Sequence, residues 1–265
     1  MHPLLFELSL FGVSIPFHTY GLMIAIGFLL GIATVRKLSA RSGMNPDDTA
    51  DLAFWLLVYG FIGSRILFII TRFSYFVDHP ADMFKVWEGG LVFFGGLILS
   101  TAYAFYHFKK KKLNPWKMID VLGPGLVIAH AFGRLGCFAA GCCYGRATDA
   151  PWGIALQSEL VDDSLRGIPL HPVQLYEFTA LLILYFGLLA VYRTRRMDGQ
   201  VGLTYFMTYP LIRSVIEIYR GDSIRGFVID GILSTSQFIS ILVFGAALAV
   251  LMIRLKALAR VPQKR

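Results

Sequence analysis

Cysteine is nearly absent from this chain. The 3 cysteines among 265 residues, Cys137, Cys142 and Cys143, all fall in one short stretch, which excludes a disulfide-built scaffold. Charge is scarce as well: 16 % of residues are Asp, Glu, Lys or Arg, too few for a disordered or fully solvated chain. No Gly-rich phosphate loop with its lysine and no H-E-x-x-H pair occurs, so neither a nucleotide, a catalytic metal nor any other cofactor is expected. No internal repeat is visible, which argues against an inverted-repeat transporter. Linkers rich in Ser or Pro are missing, so residues 1–265 read as a single integral-membrane domain. The start of the chain lacks a basic n-region followed by a small-residue cleavage site, and does not read as a cleaved signal peptide.

What the chain has in quantity is apolar sequence: 56 % of its residues are hydrophobic. About seven stretches are long enough to span a hydrocarbon core of about 30 Å: Phe17–Val35, Asp51–Thr71, Gly89–Tyr106, Met118–Ala140, Val173–Tyr192, Val201–Tyr219 and Thr235–Arg254. The expected fold is an all-α membrane protein, a bundle of about seven transmembrane helices. The net charge of +8 is distributed by side. Arg36, Lys37 and Arg41 follow the first span, Lys109 to Lys112 and Lys117 the third, Arg193, Arg195 and Arg196 the fifth, and Arg254, Lys256, Arg260, Lys264 and Arg265 the seventh. The intervening loops mix Arg166 and Arg225 with Asp78, Asp82, Glu159, Asp162, Asp163, Asp222 and Asp230. By the positive-inside rule the N-terminus lies outside and the C-terminus in the cytoplasm. The excess positive charge is then a topology signal aided by anionic membrane lipid, and no nucleic acid partner is implied. The longest segment between spans, about 145–172, is extracytoplasmic in this reading and frames a site opening to the outer leaflet. Gly12–Pro16 reads as a short strand or an interfacial piece.

Against this background Arg65, Arg134, Arg213 and Glu217 stand out, because they lie inside apolar stretches. An arginine at the centre of a membrane helix costs about 2.5–3.5 kcal/mol on insertion scales, so several of them demand a polar cavity lined by protein. Depth assignment puts nearly all such groups in the outer half. His18 and Tyr20 lie at the outer end of the first span, and Arg65 in the outer half of the second. Glu88 stands at the mouth of the third, with Gly89, Gly90, Gly95 and Gly96 after it. Arg134 lies near the outer end of the fourth, and His171, Gln174 and Glu177 open the fifth. Tyr209, Arg213, Glu217 and Arg220 are spaced four, four and three and share one helical face, where Arg213 can pair with Glu217 or Tyr209. Pro210 bends that helix and frees a carbonyl. The glycines of the third and fourth spans permit close approach of a helix or a ligand. The C-x4-C-C spacing is unlike the usual structural zinc patterns; a disulfide, or small packing or lining residues, are the two readings of the cysteines.

An arginine-lined pocket in the outer leaflet suits an anionic lipid headgroup, since the guanidinium fork matches phosphate oxygens. Pairing with a buried carboxylate to fix helix packing is the other role open to each arginine, Arg65 above all. The run Gly133-Arg134-Leu135-Gly136-Cys137-Phe138, continued by Gly141-Cys142-Cys143-Tyr144-Gly145-Arg146, resembles the G-R-x-G-N-F-x-N-G-E-x-x-G-R signature of prolipoprotein diacylglyceryl transferases. His18-Thr19-Tyr20-Gly21-Leu22, Gly63-Ser64-Arg65, Trp87-Glu88-Gly89-Gly90, His171-Pro172-Val173-Gln174-Leu175-Tyr176-Glu177 and Tyr209-Pro210-Leu211-Ile212-Arg213 agree in order and spacing, so the resemblance covers essentially the whole chain.

The resemblance implies a seven-span enzyme of the bacterial inner membrane. It would move the diacylglyceryl group of phosphatidylglycerol to the lipobox cysteine of a preprolipoprotein, with release of glycerol-1-phosphate. It carries catalytic roles onto Tyr20, Arg134 and Arg213. Tyr209, Glu217 and Arg220 match further family positions, and His171, Gln174, Arg65, Gly95 and Gly96 join them as expected substrate-binding residues. Three departures stand out. Phe94 occupies the place of a family histidine proposed as base, Cys137 and Ala140 replace the signature asparagines, and Cys142 replaces the signature glutamate.

The missing base is not decisive on energetic grounds. A thiol of pKa about 8.5 is a few per cent thiolate at pH 7, so full deprotonation gains only about 2 kcal/mol. Each fixed donor aimed at the departing phosphate is worth about 3–4 kcal/mol. Arginine clamping is therefore expected to dominate, with Tyr20 and Tyr209 orienting the headgroup. His171 is either a base or a hydrogen bond that sets the helix entrance. The alternatives are a divergent member with another acceptor, an anionic-lipid-binding or transport protein, and a thiol–disulfide protein using the three cysteines.

Overall fold

The computed structural model describes residues 4–10, 13–85, 89–220, 226–229 and 231–259. Trp87, Glu88, Asp222, Arg225, Asp230, Arg260, Lys264 and Arg265, singled out above, lie outside the described residues. The chain is mostly helical. Its helices are α1 (Thr19–Arg41), α2 (Pro46–Thr71), α3 (Phe73–Asp78), α4 (Phe93–Lys111), α5 (Pro115–Ala140), α6 (Val173–Thr194), α7 (Gln200–Ile218) and α8 (Thr235–Ala259). A 3-10 helix occupies Pro80–Phe84. Three two-stranded antiparallel hairpins complete it: β1 (Leu4–Leu10) with β2 (Val13–His18), β3 (Ile154–Ala155) with β4 (Pro169–Leu170), and β5 (Phe227–Ile229) with β6 (Leu233–Ser234). The strand reading of Gly12–Pro16 thus applies from Val13 onward.

Five helices, α1, α2, α5, α6 and α8, are long and apolar enough to cross a membrane. The other two long helices, α4 and α7, have 19 residues each and carry the polar load: Lys109, Lys110 and Lys111 end α4, while α7 contains Arg213 and Glu217. Burial is inverted relative to a water-soluble protein. Ile70, Ile98, Ile183 and Phe186 are each more than 60 % exposed, while Arg65, Gln174, Glu177 and Arg213 are each at most 8 % exposed. Apolar groups outward and ionised groups inward is the arrangement a lipid solvent selects.

The chain divides into two compact units. One comprises Thr34–Met118, the other Met1–Ala33 with Ile119–Arg265. Within the first, α2 packs along α4 through small residues. A Cβ on Gly63 or Gly95 would overlap the other's carbonyl oxygen, and one on Gly96 would overlap Ser64 and the Gly60 carbonyl. The backbones are in contact, the usual solution where lipid provides no hydrophobic drive for helix pairing. Asn45 caps α2 by accepting from the Asp47 amide at 2.9 Å, Pro46 follows at the first helical position, and Asp47 and Asp48 complement the helix dipole.

In the second unit α7 packs against α6 and α8. The start of α7 is secured from a distance. Asp120 of α5, 1 % exposed, accepts the Gly199 amide at 2.8 Å and the Gly202 amide at 3.0 Å. Those are amides that a helix start leaves without partners. At α8, Ser234 and Gln237 cap each other reciprocally, the Ser234 amide donating to Gln237 Oε1 and the Gln237 amide to Ser234 Oγ, both at 3.1 Å. Segment 145–172 has its own small core of Leu156, Val161 and Leu170 with Tyr144, Ile154 and Leu165. Ser158 ties it to the last turn of α5 by donating to the Ala140 carbonyl at 2.7 Å.

Candidate active site

The second unit holds a chain of buried polar contacts among α5, α6, α7 and α8. Its centre is Glu177, one turn into α6 and 1 % exposed. Arg134 of α5 places its Nε 3.1 Å from Glu177 Oε2, an ion pair whose N–H lies off the line of a hydrogen bond. Tyr209 of α7 donates its hydroxyl to Glu177 Oε1 at 3.2 Å, and His130 Nε2 lies 3.7 Å from the same oxygen. One carboxylate thereby gathers three helices. An isolated ionised carboxylate at this depth would be untenable, and the guanidinium offsets that cost.

One turn along α7 is the second arginine. Arg213 Nη2 lies 2.5 Å from Glu217 Oε2, the i, i+4 pair that the spacing predicts, and donates to Ser236 Oγ of α8 at 3.2 Å. Ser236 lies in the first turn of α8, between the two residues of the capping pair. Arg213 Nη1 is buried and has no partner among the described residues. Both guanidinium groups act electrostatically on Tyr209 and on His130, so the arginines of α5 and α7 converge on one place. Tyr209 does not bond Arg213, the other pairing open to it; its hydroxyl goes to Glu177. Tyr205, one turn earlier, stacks on Tyr209 with ring centroids 5.7 Å apart and an interplanar angle of 16°. Pro210, without an N–H, leaves the Phe206 carbonyl short of its helical donor, yet α7 continues to Ile218.

Tyr20 stands at the start of α1, 41 % exposed. It packs on Gly136, where a Cβ would lie 2.9 Å from its Cδ2, and it feels the charges of Arg134 and of the three cysteines. The cysteines are free thiols, half-buried, with their sulfurs within 4.8 Å of one another. Hydrogen bonds shared with Cys137 and with each other set the Cys142 and Cys143 thiols apart, raising Cys142 and lowering Cys143; the charges of Arg220 and Arg134 favour the Cys143 thiolate further. Gln174 of α6 holds this turn by donating Nε2 to the Cys142 carbonyl at 2.8 Å, and its Oε1 is buried without a partner among the described residues. His171 sits in an aromatic box: Nδ1 is 3.1 Å from the Tyr176 hydroxyl, which also accepts from Trp152 Nε1 at 2.7 Å, and its ring meets Tyr219 at 5.2 Å. Arg220 lies just past the end of α7, and its backbone bridges to Gly145, so it does not continue the helical face of Tyr209, Arg213 and Glu217.

Three expected site residues belong to the other unit. Arg65 spends all five N–H groups on main-chain carbonyls: Nε on Met83 at 3.1 Å, Nη1 on Gly89 and Gly90 at 2.7 and 3.2 Å, Nη2 on Asp82 and Lys85 at 2.6 and 3.3 Å. Its face is covered by Phe68 and Phe76. In this arrangement it has no donor left for a phosphate, and it acts as the clasp of the 80–90 loop. Gly95 and Gly96 are occupied by the α2–α4 contact.

Sequence reasoning passed over His130, Tyr205 and Ser236, and placed Glu177 at the opening of the fifth span without giving it a central place. The signals existed. His130 precedes Arg134 by four residues and Tyr205 precedes Tyr209 by four, the spacing that stacks side chains on one helix face.

Fold and site together define a polytopic helical membrane protein with paired arginines buried among its helices and a tyrosine and thiols at one end of the cluster. The model of the prolipoprotein diacylglyceryl transferase family matches residues 7–253. Relatives named phosphatidylglycerol–prolipoprotein diacylglyceryl transferase include those of Clostridium tetani, 37 % identical over 91 % of this chain and 93 % of the relative, and Geobacter sulfurreducens, 35 % identical over 96 % of both. That of Clostridioides difficile is 34 % identical over 91 % of this chain and 92 % of the relative. The chain belongs to the prolipoprotein diacylglyceryl transferase family.

Proposed function

We propose that this chain transfers the diacylglyceryl group of phosphatidylglycerol to the lipobox cysteine thiol of a prolipoprotein and releases glycerol-1-phosphate. It does so as a seven-span protein of the bacterial cytoplasmic membrane, with the N-terminus outside and the C-terminus in the cytoplasm. The observation that carries the reading is the Arg213 guanidinium. It is buried and ion-paired on one side, with an orphaned Nη1 on the other. A buried donor left without a partner costs about 1–3 kcal/mol, more when charged, and a phosphodiester oxygen is the group that would satisfy it.

In the reaction the acceptor sulfur, as the thiolate left when its proton passes to water, attacks the CH2 carbon of the diacylglyceryl group. The C–O bond breaks, and its electron pair stays on the oxygen of glycerol phosphate. Negative charge therefore grows on the phosphate as the transition state forms. Arg213 and Arg134 meet that charge with fixed donors, each worth about 3–4 kcal/mol. Glu177 and Glu217 hold the two guanidinium groups in place beforehand, so little reorganisation accompanies the step. Tyr209 and Tyr20 orient the headgroup, and Arg220 with His171 and Gln174 shapes the entrance used by the acceptor. Arg65, Gly95 and Gly96 serve the packing of their own unit.

The test incubates purified protein with phosphatidylglycerol and a lipobox peptide. Release of glycerol phosphate with a matching mass gain on the peptide cysteine is expected; lipid binding with neither product would replace the transferase reading by a binding one.

A further inference from the structure

We propose that Cys137, Cys142 and Cys143 form a three-thiolate zinc site whose open fourth position receives the acceptor thiol. The second half of this proposal rests on the transferase reading above; the first half does not.

The geometry is close to that of a loaded site. All three sulfurs lie within 4.8 Å of one another. With Zn–S bonds of about 2.3 Å, three sulfurs of a tetrahedron stand about 3.8 Å apart, so closing on an ion takes side-chain shifts of about 1 Å or less. The backbone is already folded to the purpose. Cys137 lies in the last turn of α5, and after Ala140 the chain turns back through Gly141 at φ 76° and Cys143 at φ 59°. The Cys142 amide returns to the Cys137 carbonyl at 3.1 Å, and Gln174 fastens the Cys142 carbonyl from α6. Cys143 and Lys112 are the only non-glycine residues of positive φ among the described residues. A left-handed conformation costs an ordinary side chain about 1–2 kcal/mol, and cysteines that merely filled space would not require it.

The donor set narrows the choice to a soft ion. Three soft thiolates and no carboxylate or imidazole in the group select zinc over magnesium, calcium or manganese. Three protein ligands with a vacant position is the pattern of catalytic zinc, whereas structural zinc is closed by four. The site carries a net charge of −1 with zinc bound, and Arg134 and Arg220 act on it.

An acceptor thiol entering the fourth position loses its proton on coordination. The thiol proton passes to water, the zinc-held thiolate then attacks the diacylglyceryl carbon, the C–O bond breaks, and the phosphate monoester leaves as the dianion with the electron pair. The thioether formed is neutral, a weaker ligand than the thiolate, and leaves. Zinc is neither oxidised nor reduced. The site thereby supplies a nucleophile in a chain where Phe94 stands in place of the base.

The test begins with the whole protein purified in detergent without chelator. Metal analysis is expected to find about one zinc per chain, and cobalt exchange to give a near-ultraviolet sulfur-to-cobalt charge-transfer band. Both signals should vanish in Cys142→Ser and in Cys137→Ser. Stripping zinc with a strong chelator should lower glycerol phosphate release at least tenfold, with recovery on adding zinc. Three freely titratable thiols and no bound metal, or a disulfide between any two, would overturn the site. Bound zinc with transfer unaffected by its removal would overturn the acceptor role alone. Bound zinc with no transfer under any condition would refute the transferase reading and leave the metal site standing.

Discussion

Glu177→Gln separates what the buried ion pair does for the fold from what Arg134 does for the reaction. The carboxylate is 1 % exposed and meets Arg134 at 3.1 Å, the Tyr209 hydroxyl at 3.2 Å and His130 at 3.7 Å. Gln keeps the shape and one acceptor for Tyr209, yet leaves the guanidinium as an unbalanced buried charge. Removing one partner of such a pair costs about 3–5 kcal/mol. Replacing both partners by apolar residues of similar volume is commonly neutral or stabilising. Glu177→Gln should therefore lower the midpoint of thermal unfolding in detergent clearly, and Arg134→Met combined with Glu177→Met should restore most of it. Activity should follow a different course. If Arg134 supplies about 3–4 kcal/mol to the departing phosphate, the double variant loses roughly 10²–10³-fold in glycerol phosphate release despite its recovered stability. The assay is release of glycerol phosphate from phosphatidylglycerol at saturating peptide, beside unfolding curves on the same samples. A double variant that regains activity along with stability would refute the reasoning, because Arg134 would then be only a packing device.

Arg213→Lys keeps the charge but not the fork, so it should retain the Glu217 pair while lowering transfer at least tenfold, read as glycerol phosphate release. Ser236→Ala should cost less, about 1 kcal/mol of the positioning of Arg213, seen as a severalfold fall in release with unchanged unfolding. Gly95→Ala forces a methyl group onto the Gly63 carbonyl and should destabilise by about 1–3 kcal/mol, measured by thermal unfolding. Asp120→Ala strips two amides at the start of α7 of their acceptor and should cost about 1–2 kcal/mol, with hydrogen exchange rising at Gly199 and Gly202.

Much of this architecture is legible in the sequence because lipid is an exacting solvent. The run Val173–Tyr192 gives helix Val173–Thr194, and Met118–Ala140 gives Pro115–Ala140, because length and apolarity leave the backbone no other way to satisfy itself. The pairing of Arg213 with Glu217 was legible for the same local reason, an i, i+4 spacing on one helix. Glu177 was harder to place, since its three partners come from α5 and α7, dozens of residues away. Arg65 shows the limit most plainly. An arginine inside an apolar run announces a buried cation, but nothing in the run says whether its partner is a ligand or a loop. Tyr209, expected to pair with Arg213 on its own helix, shows the same limit. Its hydroxyl goes to another helix, which no periodicity along α7 could reveal.

The Arg65 clasp has an implication for how this sequence can drift. Its five acceptors are peptide oxygens, which every amino acid possesses. The side chains at positions 82, 83 and 85 take no part in that grip; Asp82 instead accepts from the Tyr75 hydroxyl at 2.8 Å and pairs with Lys85 at 2.6 Å. Only positions 89 and 90, where positive φ accompanies the two glycines, are tied to their residue type. The arginine and the two glycines are thus the fixed points of the grip, whatever side chains the three other acceptor residues carry.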